Sequence, residues 1–204
     1  MKKITKTILI AMLAVMSWSN CALAQNVTIP DASFKNWVLA NVPHPTSTTE
    51  ITISEAAAYA GAMYIAFQQI SNLQGIEAFT SLTSLDIGYN SVSSVNLSSN
   101  TALTFLYCSA NNLASLDVSH NTSLITLQCT SNLLTSLDLS HNIHLVDLYC
   151  DYNNLTSLNV KNGNNSNMPH GNGLNTGFDA LGNPNLSCIL VDNVAYSTDR
   201  KSVV

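Results

Sequence analysis

Charge is what this chain has least of. Acidic and basic residues together make up 9% of it, and only 7 residues are Lys or Arg. Three of those, Lys2, Lys3 and Lys6, sit at the extreme N-terminus. Without them, 4 basic residues face 12 acidic ones, a formal charge of −8. A chain so poor in cations lacks the electrostatic footprint for nucleic acid or an anionic lipid surface. Cysteine is sparse as well, and no two cysteines have the close CxxC spacing of a zinc site. No nucleophile motif announces a Ser–His–Asp constellation. These absences predict a non-catalytic protein with no cofactor and no bound metal.

Long hydrophobic runs are also missing, with one exception. "MKKITK" is a basic start, "TILIAMLAVMSWSN" is apolar, and Ala22–Ala24 has the small residues of a cleavage site. The apolar run is too short to span a bilayer comfortably. Residues 1–24 therefore read as a secretory signal, with the mature chain beginning at Gln25 and not inserted in a membrane. A lipoprotein signal retaining Cys21 is the alternative, for which Trp18 and Asn20 are poor neighbours.

What the chain has in abundance is a repeat. Residues 103–123, "LTFLYCSANNLASLDVSHNTS", are followed by two near-copies of 21 residues each. Counting each unit from Leu82, Leu103, Leu124 and Leu145, positions 1, 4, 6, 11, 14 and 16 are apolar in all four copies. Position 9 is Asn in every copy (Asn90, Asn111, Asn132, Asn153). Position 19 is Asn in three (Asn100, Asn121, Asn142) and is broken by Gly163. A fixed period of this length signals a solenoid whose coils bury their apolar edges against each other. The apolar–x–apolar steps at positions 4 and 6, and again at 14 and 16, predict two short extended segments per coil. Neighbouring coils then pair as parallel strands, and the Asn residues turn the chain inward.

Cys108, Cys129 and Cys150 share position 6, where the first coil has Ile87. Cysteine there acts as a small apolar core residue. Parallel side chains in adjacent coils do not converge on a disulfide, although the backbones come within range of one. A bridge or a metal ligand stays as the weaker alternative.

The pattern LxxLxCxxNxLxxLDLxxNxx resembles the leucine-rich repeat family, in particular the short nested 21-residue type of secreted Bacteroidetes-like proteins. Upstream, Met63, Ile65, Ile70, Leu73, Ile76 and Phe79 extend it with a spacing of 22, and "ISNLQGIEAFTSL" resembles the internalin-type repeat. The resemblance implies a β-rich solenoid of parallel short strands with a short helical N-terminal cap. Related secreted repeat proteins carry an Asp-rich, calcium-loop-like run before the second cap helix. Here "NVPHPTSTTEITISEAAA" offers only Glu50 and Glu55, too few oxygens for such a loop.

The expected organisation follows: signal 1–24, helical cap 25–59, solenoid 60–165, irregular C-terminal repeat and cap 166–198, and a non-native tail 199–204, "DRKSVV". In the cap, Asp31 is the predicted N-cap of one helix with Phe34, Trp37 and Val38 on its buried face, and Ser54 that of a second. Beyond the excursion "NGNNSNMPHGNGLNTG", Phe178, Asp179, Ala180 and Asn183 read as positions 14, 15, 16 and 19. That places Cys188 at position 3 of a last partial coil.

Outward positions separate into two kinds. Positions 13 and 15 are monotonous: Ser94, Ser115, Ser136, Ser157, and Asn96, Asp117, Asp138, Asn159. Position 5 varies (Tyr64, Asp86, Tyr107, Gln128, Tyr149), as does position 8 (Phe67, Tyr89, Ala110, Ser131, Tyr152). Aromatic side chains bury much area at low entropic cost and gather at binding surfaces. The candidate partner-binding residues are therefore Tyr64, Phe105, Tyr107, Gln128, Asp147, Tyr149, Asp151 and Tyr152. They point to protein recognition or adhesion at the cell surface or in the medium. A glycan stacked on the tyrosines, or a structural segment of a larger surface protein, is the alternative. His120, His141 and His144 read as exposed turn residues.

Overall fold

The computed structural model describes residues 25–44, 47–164 and 177–192. The expected signal 1–24, most of the excursion after Asn164 and the tail 199–204 lie outside the described residues.

The chain enters through a helical cap. Helix α1 spans Ala32–Asn41, and Asp31 caps it by accepting from the Phe34 N–H. Phe34 and Val38, four residues apart and so on one face, are fully buried, while Trp37 packs partly buried beside them. The Phe34 ring lies 6.5 Å from that of Phe79 in the first coil. Burying such a ring stabilises the cap by about 2–3 kcal/mol. The second Asp31 oxygen accepts from the Ser71 N–H and hydroxyl and the Asn72 N–H, at 2.9, 3.0 and 3.2 Å. One carboxylate thus starts the helix and ties it to the solenoid.

Helix α2 spans Ile53–Ala58 and begins two residues before the expected start. Its N-cap is Thr52 and not Ser54. Thr52 accepts from the Glu55 N–H, and the Glu55 carboxylate accepts from the Thr52 N–H, a reciprocal capping box that Ser54 has no partner to make.

The coils then stack. Strands β1 (Gly61–Tyr64), β2 (Leu82–Asp86), β3 (Phe105–Tyr107), β4 (Thr126–Gln128), β6 (Asp147–Tyr149) and β8 (Phe178–Asp179) form one parallel sheet in that order. Strands β5 (Ser136–Asp138), β7 (Ser157–Asn159) and β9 (Cys188–Leu190) form a second. The two sheets are the two extended segments of the repeat. In the second, the coil at Ser115 keeps the burial pattern of β5 without strand pairing, and the coil at Ser94 keeps it with Val95 only partly buried. The 22-residue spacing of the first coil is absorbed by a bulge between Gly61 and Ala62, so that Met63 still pairs with Leu85. Its return segment holds a short 3-10 helix, Ile76–Ala78.

Positions 1, 4, 6, 11 and 16 are buried in all four copies. Position 14 is buried in three, with Val95 packed partly buried. The position-9 Asn residues are hydrogen-bonded through both side-chain ends, whereas Asn100, Asn121 and Asn142 at position 19 donate but leave Oδ1 buried without a partner among the described residues. Asn132 donates to the carbonyls of Cys129 and Thr130 in its own coil and of Cys108 in the coil before, and accepts from the Leu113 N–H. Asn111 and Asn153 repeat this. The second Asn series does not stop at Gly163. Asn162, one residue early, donates to the Asn142 carbonyl just as Asn142 donates to that of Asn121.

The C-terminal register differs from expectation by ten positions. Phe178 pairs with Leu148 and Asp179 with Tyr149, so Phe178, Asp179, Ala180 and Asn183 occupy positions 4, 5, 6 and 9. Cys188 pairs with Ser157, which puts it at position 13 and not at 3. The cause lies in the repeat. Positions 4, 6 and 9 have the same spacing as 14, 16 and 19, so a half-coil read alone fits both. Asn183 settles it by donating to the Cys150 carbonyl and accepting from the Leu155 N–H, as every position-9 Asn does for its own coil pair.

Candidate functional site

The six-stranded sheet turns one face to the core and the other outward. Residues alternate between the faces, so positions 3, 5 and 7 share the outer one. Strand pairing lines up position 5 as one lateral row: Tyr64, Asp86, Tyr107, Gln128, Tyr149, Asp179. Phenols and carboxyl or amide groups alternate along it. With neighbouring strands about 4.8 Å apart, successive tyrosines are about 9.6 Å apart.

The predicted residues fall into this geometry. Tyr64, Tyr107, Gln128 and Tyr149 belong to the row itself. Phe105 and Asp147 occupy position 3 beside it, and Asp151 and Tyr152 follow β6 at positions 7 and 8. The Phe105 and Tyr107 rings are nearly parallel, with centroids 6.5 Å apart. Tyr64 is 63% exposed at the N-terminal end of the row, whereas Tyr107 and Tyr149 are half-buried. Burial pushes the Tyr107 and Tyr149 hydroxyls above their ordinary range. Nearby charge adds to this, from Tyr64, Asp86 and Asp147 at Tyr107 and from Asp147 and Asp179 at Tyr149.

The carboxylates are oriented by their own strand ends. Asp86 accepts from the Gly88 N–H and Asp179 from the Leu181 N–H, both at 2.9 Å through Oδ1. Asp147 accepts from the Gly177 N–H at 2.8 Å, and Asp151 from the Thr130 hydroxyl at 2.5 Å.

Position 8 has a backbone of its own. Phe67, Tyr89, Ala110, Ser131 and Tyr152 all have φ between 52° and 59°, and Gly182 continues the column at 67°. This left-handed turn lets each position-8 N–H reach the position-7 carbonyl of the next coil, as Tyr89 does to Ser109 at 2.9 Å. Large residues pay a steric penalty there of about 1–2 kcal/mol each. Even so, Phe67 and Tyr89 are more than half exposed and stack face to face, with centroids 4.4 Å apart and planes 9° apart. Tyr152 lies over Gly182, where an added Cβ would meet its ring carbon Cδ1 at 2.7 Å.

The cysteines form a column behind the sheet. Cys108, Cys129 and Cys150 are fully buried free thiols, continued by Ile87 before them and Ala180 after them. The Cys108 and Cys150 thiols donate to the Gln128 and Asp179 carbonyls at 3.4 Å. Burial, with Asp86 as a lesser cause, pushes Cys108 up to about 12, and burial raises Cys129 and Cys150 as well. They are protonated and inert.

On the opposite edge, Asp117 and Asp138 are held below the usual carboxylate range, first by the Ser119 and Ser140 N–H groups and then by their hydroxyls. His120, His141 and His144 are exposed. Among the described residues, no group of three or more His, Cys, Asp or Glu is arranged to hold a metal ion.

The architecture can now be compared with solved proteins. The chain is similar to the functional domain of InlJ from Listeria monocytogenes, a structure described as including a cysteine ladder. Identity is 31% over 78% of this chain and 36% of that one, with a TM-score of 0.61. The fold is that of the leucine-rich-repeat solenoids. An internalin, InlF, from the same organism is similar at 18% identity over 85% of this chain and 60% of its own, with a TM-score of 0.50, and supports the fold alone. The chain spans only about a third of the InlJ structure. No protein-family model and no curated protein matches the sequence.

Asp86 and Asp179 are absent from the predicted site although they sit in the position-5 row. Asp86 stands at position 5 in the sequence, and its place between Tyr64 and Tyr107 follows from the strand pairing. Asp179 was hidden by the register error. The stacking of Phe67 on Tyr89 carries no sequence signal beyond two aromatics at one repeat position.

Proposed function

We propose that this solenoid is a recognition module for protein partners, secreted or displayed at a bacterial cell surface after removal of residues 1–24, with no catalytic role. The observation that carries the reading is the lateral row Tyr64–Asp86–Tyr107–Gln128–Tyr149–Asp179 on the outer sheet face. A stack of coils is stiff, so ordering a binding surface on it costs little. Half-buried aromatics with polar tips serve as anchors in such surfaces. The likeness to the InlJ functional domain supports a protein-interaction repeat module.

The test is a parallel screen of the purified protein on arrays of bacterial and host surface proteins and of glycans. A protein hit should be lost in the double variant Tyr107→Ser/Tyr149→Ser with the thermal melt preserved. Undiminished capture by that variant, or hits confined to glycans, defeats the reading.

A further inference from the structure

The row alternates two chemistries that share one complement. A tyrosine face attracts a cation through its ring quadrupole, and a carboxylate attracts it through charge and hydrogen bonds. Asp86 lies between Tyr64 and Tyr107, and Asp179 closes the row after Tyr149. Asp147 and Asp151 flank it at positions 3 and 7 of the fourth copy of the repeat. None of these four carboxylates is ion-paired to a described residue. The basic side chains among the described residues are Lys35, 2.7 Å from Glu50, and Lys161, which follows β7. Neither belongs to the six-stranded sheet, so its outer face is negative and no Lys or Arg among the described residues satisfies it.

We infer that this face takes an extended cationic peptide segment, its lysine or arginine side chains seated against Asp86, between Tyr64 and Tyr107, and against Asp179, beside Tyr149. The inference rests on the recognition reading above and names the chemistry of the partner. Geometry favours this face over the other acidic column. Asp117 and Asp138 have no aromatic neighbour in their column, and each already has a histidine, His120 or His141, lowering its carboxyl. In the position-5 row, by contrast, Asp86 and Asp179 each spend one oxygen on a backbone N–H two residues ahead and keep Oδ2 free of described partners.

The experiment is fluorescence anisotropy on the full chain with three synthetic peptides of equal length. They alternate Ser with Lys, with Gln or with Glu, and each is titrated at low and at high salt. The Lys peptide should bind, and bind less well as salt rises. Asp86→Asn/Asp179→Asn should weaken it by about tenfold, the sum for two half-exposed ion pairs. Asn retains the Oδ1 acceptor that meets Gly88 and Leu181, so this variant keeps its fold, checked by circular dichroism. Equal binding of the Gln peptide, or an unchanged affinity in the Asn variant, overturns the cationic assignment and leaves protein recognition intact. No binding of any peptide, together with capture confined to glycans, overturns both.

Discussion

Asn132 joins two coils through one side chain. Its amide donates to the Cys108 carbonyl of the preceding coil at 3.0 Å, and its oxygen accepts from the Leu113 N–H, also of that coil, at 3.0 Å. Both groups are buried; the Cys108 carbonyl keeps the Asn111 amide as a second donor, but the Leu113 N–H loses its partner once the Asn132 amide is gone. Asn132→Ala should therefore cost about 1–3 kcal/mol, mainly the desolvation of one orphaned buried N–H. Asn132→Asp should be no better, because it keeps the Leu113 bond but turns a buried carboxylate oxygen on the carbonyls of Cys108, Cys129 and Thr130. Urea denaturation of the three proteins checks this, and a cost under half a kilocalorie for Asn132→Ala contradicts the ladder's role.

The thiol column makes stability fall on the alkaline side. Cys108 titrates at about 12 in the folded chain against an ordinary value of 9.0, and Cys129 and Cys150 are raised in the same sense. The unfolded chain then releases these protons first. The contribution is fully present below the ordinary thiol value and is lost as pH rises through the folded one. The melting temperature should drop as pH rises from about 9 towards about 12, and the drop should shrink in the triple Cys→Ala variant. An equal alkaline slope in that variant contradicts the account. In the native wild type, exposed Cys188 should be the thiol that a small alkylating reagent modifies first.

Asp31 behaves in the opposite sense. Burial raises its carboxyl, but hydrogen bonds from Ser71, Phe34 and Asn72 outweigh this and hold it below 3.8. Its contribution is present above the ordinary carboxylate value and is lost as pH falls through the depressed one. Asp31→Ala should cost about 1–2 kcal/mol at neutral pH, the range of a lost helix cap. It should also flatten the acid side of the stability profile. Thermal melts from neutral to acid pH measure both, and a variant with the same acid slope as wild type refutes the assignment.

Position 8 offers a paired test of backbone strain. Ala110 has φ 54°, so Ala110→Gly should be neutral to stabilising by up to about 1 kcal/mol. Gly182→Ala should destabilise by about 1–2 kcal/mol, because it adds a Cβ in the left-handed region and against the Tyr152 ring. Tyr152→Ala in the same chain should return only the part due to the ring. Full rescue would mean that the column carries no backbone strain.

Much of this architecture was legible because the repeat states it four times. Six apolar positions per coil leave one way to fold, so the stack, the inward cysteines and the Asn turns all follow from spacing. Asp31 was legible for a different reason, since a cap residue after proline has a local signature. Thr52 was less so, because its role depends on Glu55 returning a hydrogen bond. The end of the chain was misread where the repeat is symmetric with itself: the half-coil at Phe178–Asn183 matches two registers ten positions apart. Only the long-range bonds of Asn183 to Cys150 and Leu155 distinguish them. The alternation of tyrosine with carboxylate likewise belongs to strand pairing, and Asp179 joined the row only once the pairing was known.

Gln128 interrupts the acidic side of the row between Tyr107 and Tyr149. Gln128→Asp adds a carboxylate where a cationic segment must cross, and should tighten the Lys peptide by about threefold while leaving the Glu peptide unbound. An unchanged or weaker affinity, measured by the same anisotropy titration, speaks against a cation passing over β4.

The central claim is tested most directly by zero-length carbodiimide coupling of the Lys peptide to the full chain, with the linked carboxylates located by mass spectrometry. The account predicts linkages at Asp86 and Asp179, reduced in Tyr107→Ser/Tyr149→Ser. Linkages confined to Asp117 and Asp138 on the opposite edge would contradict it.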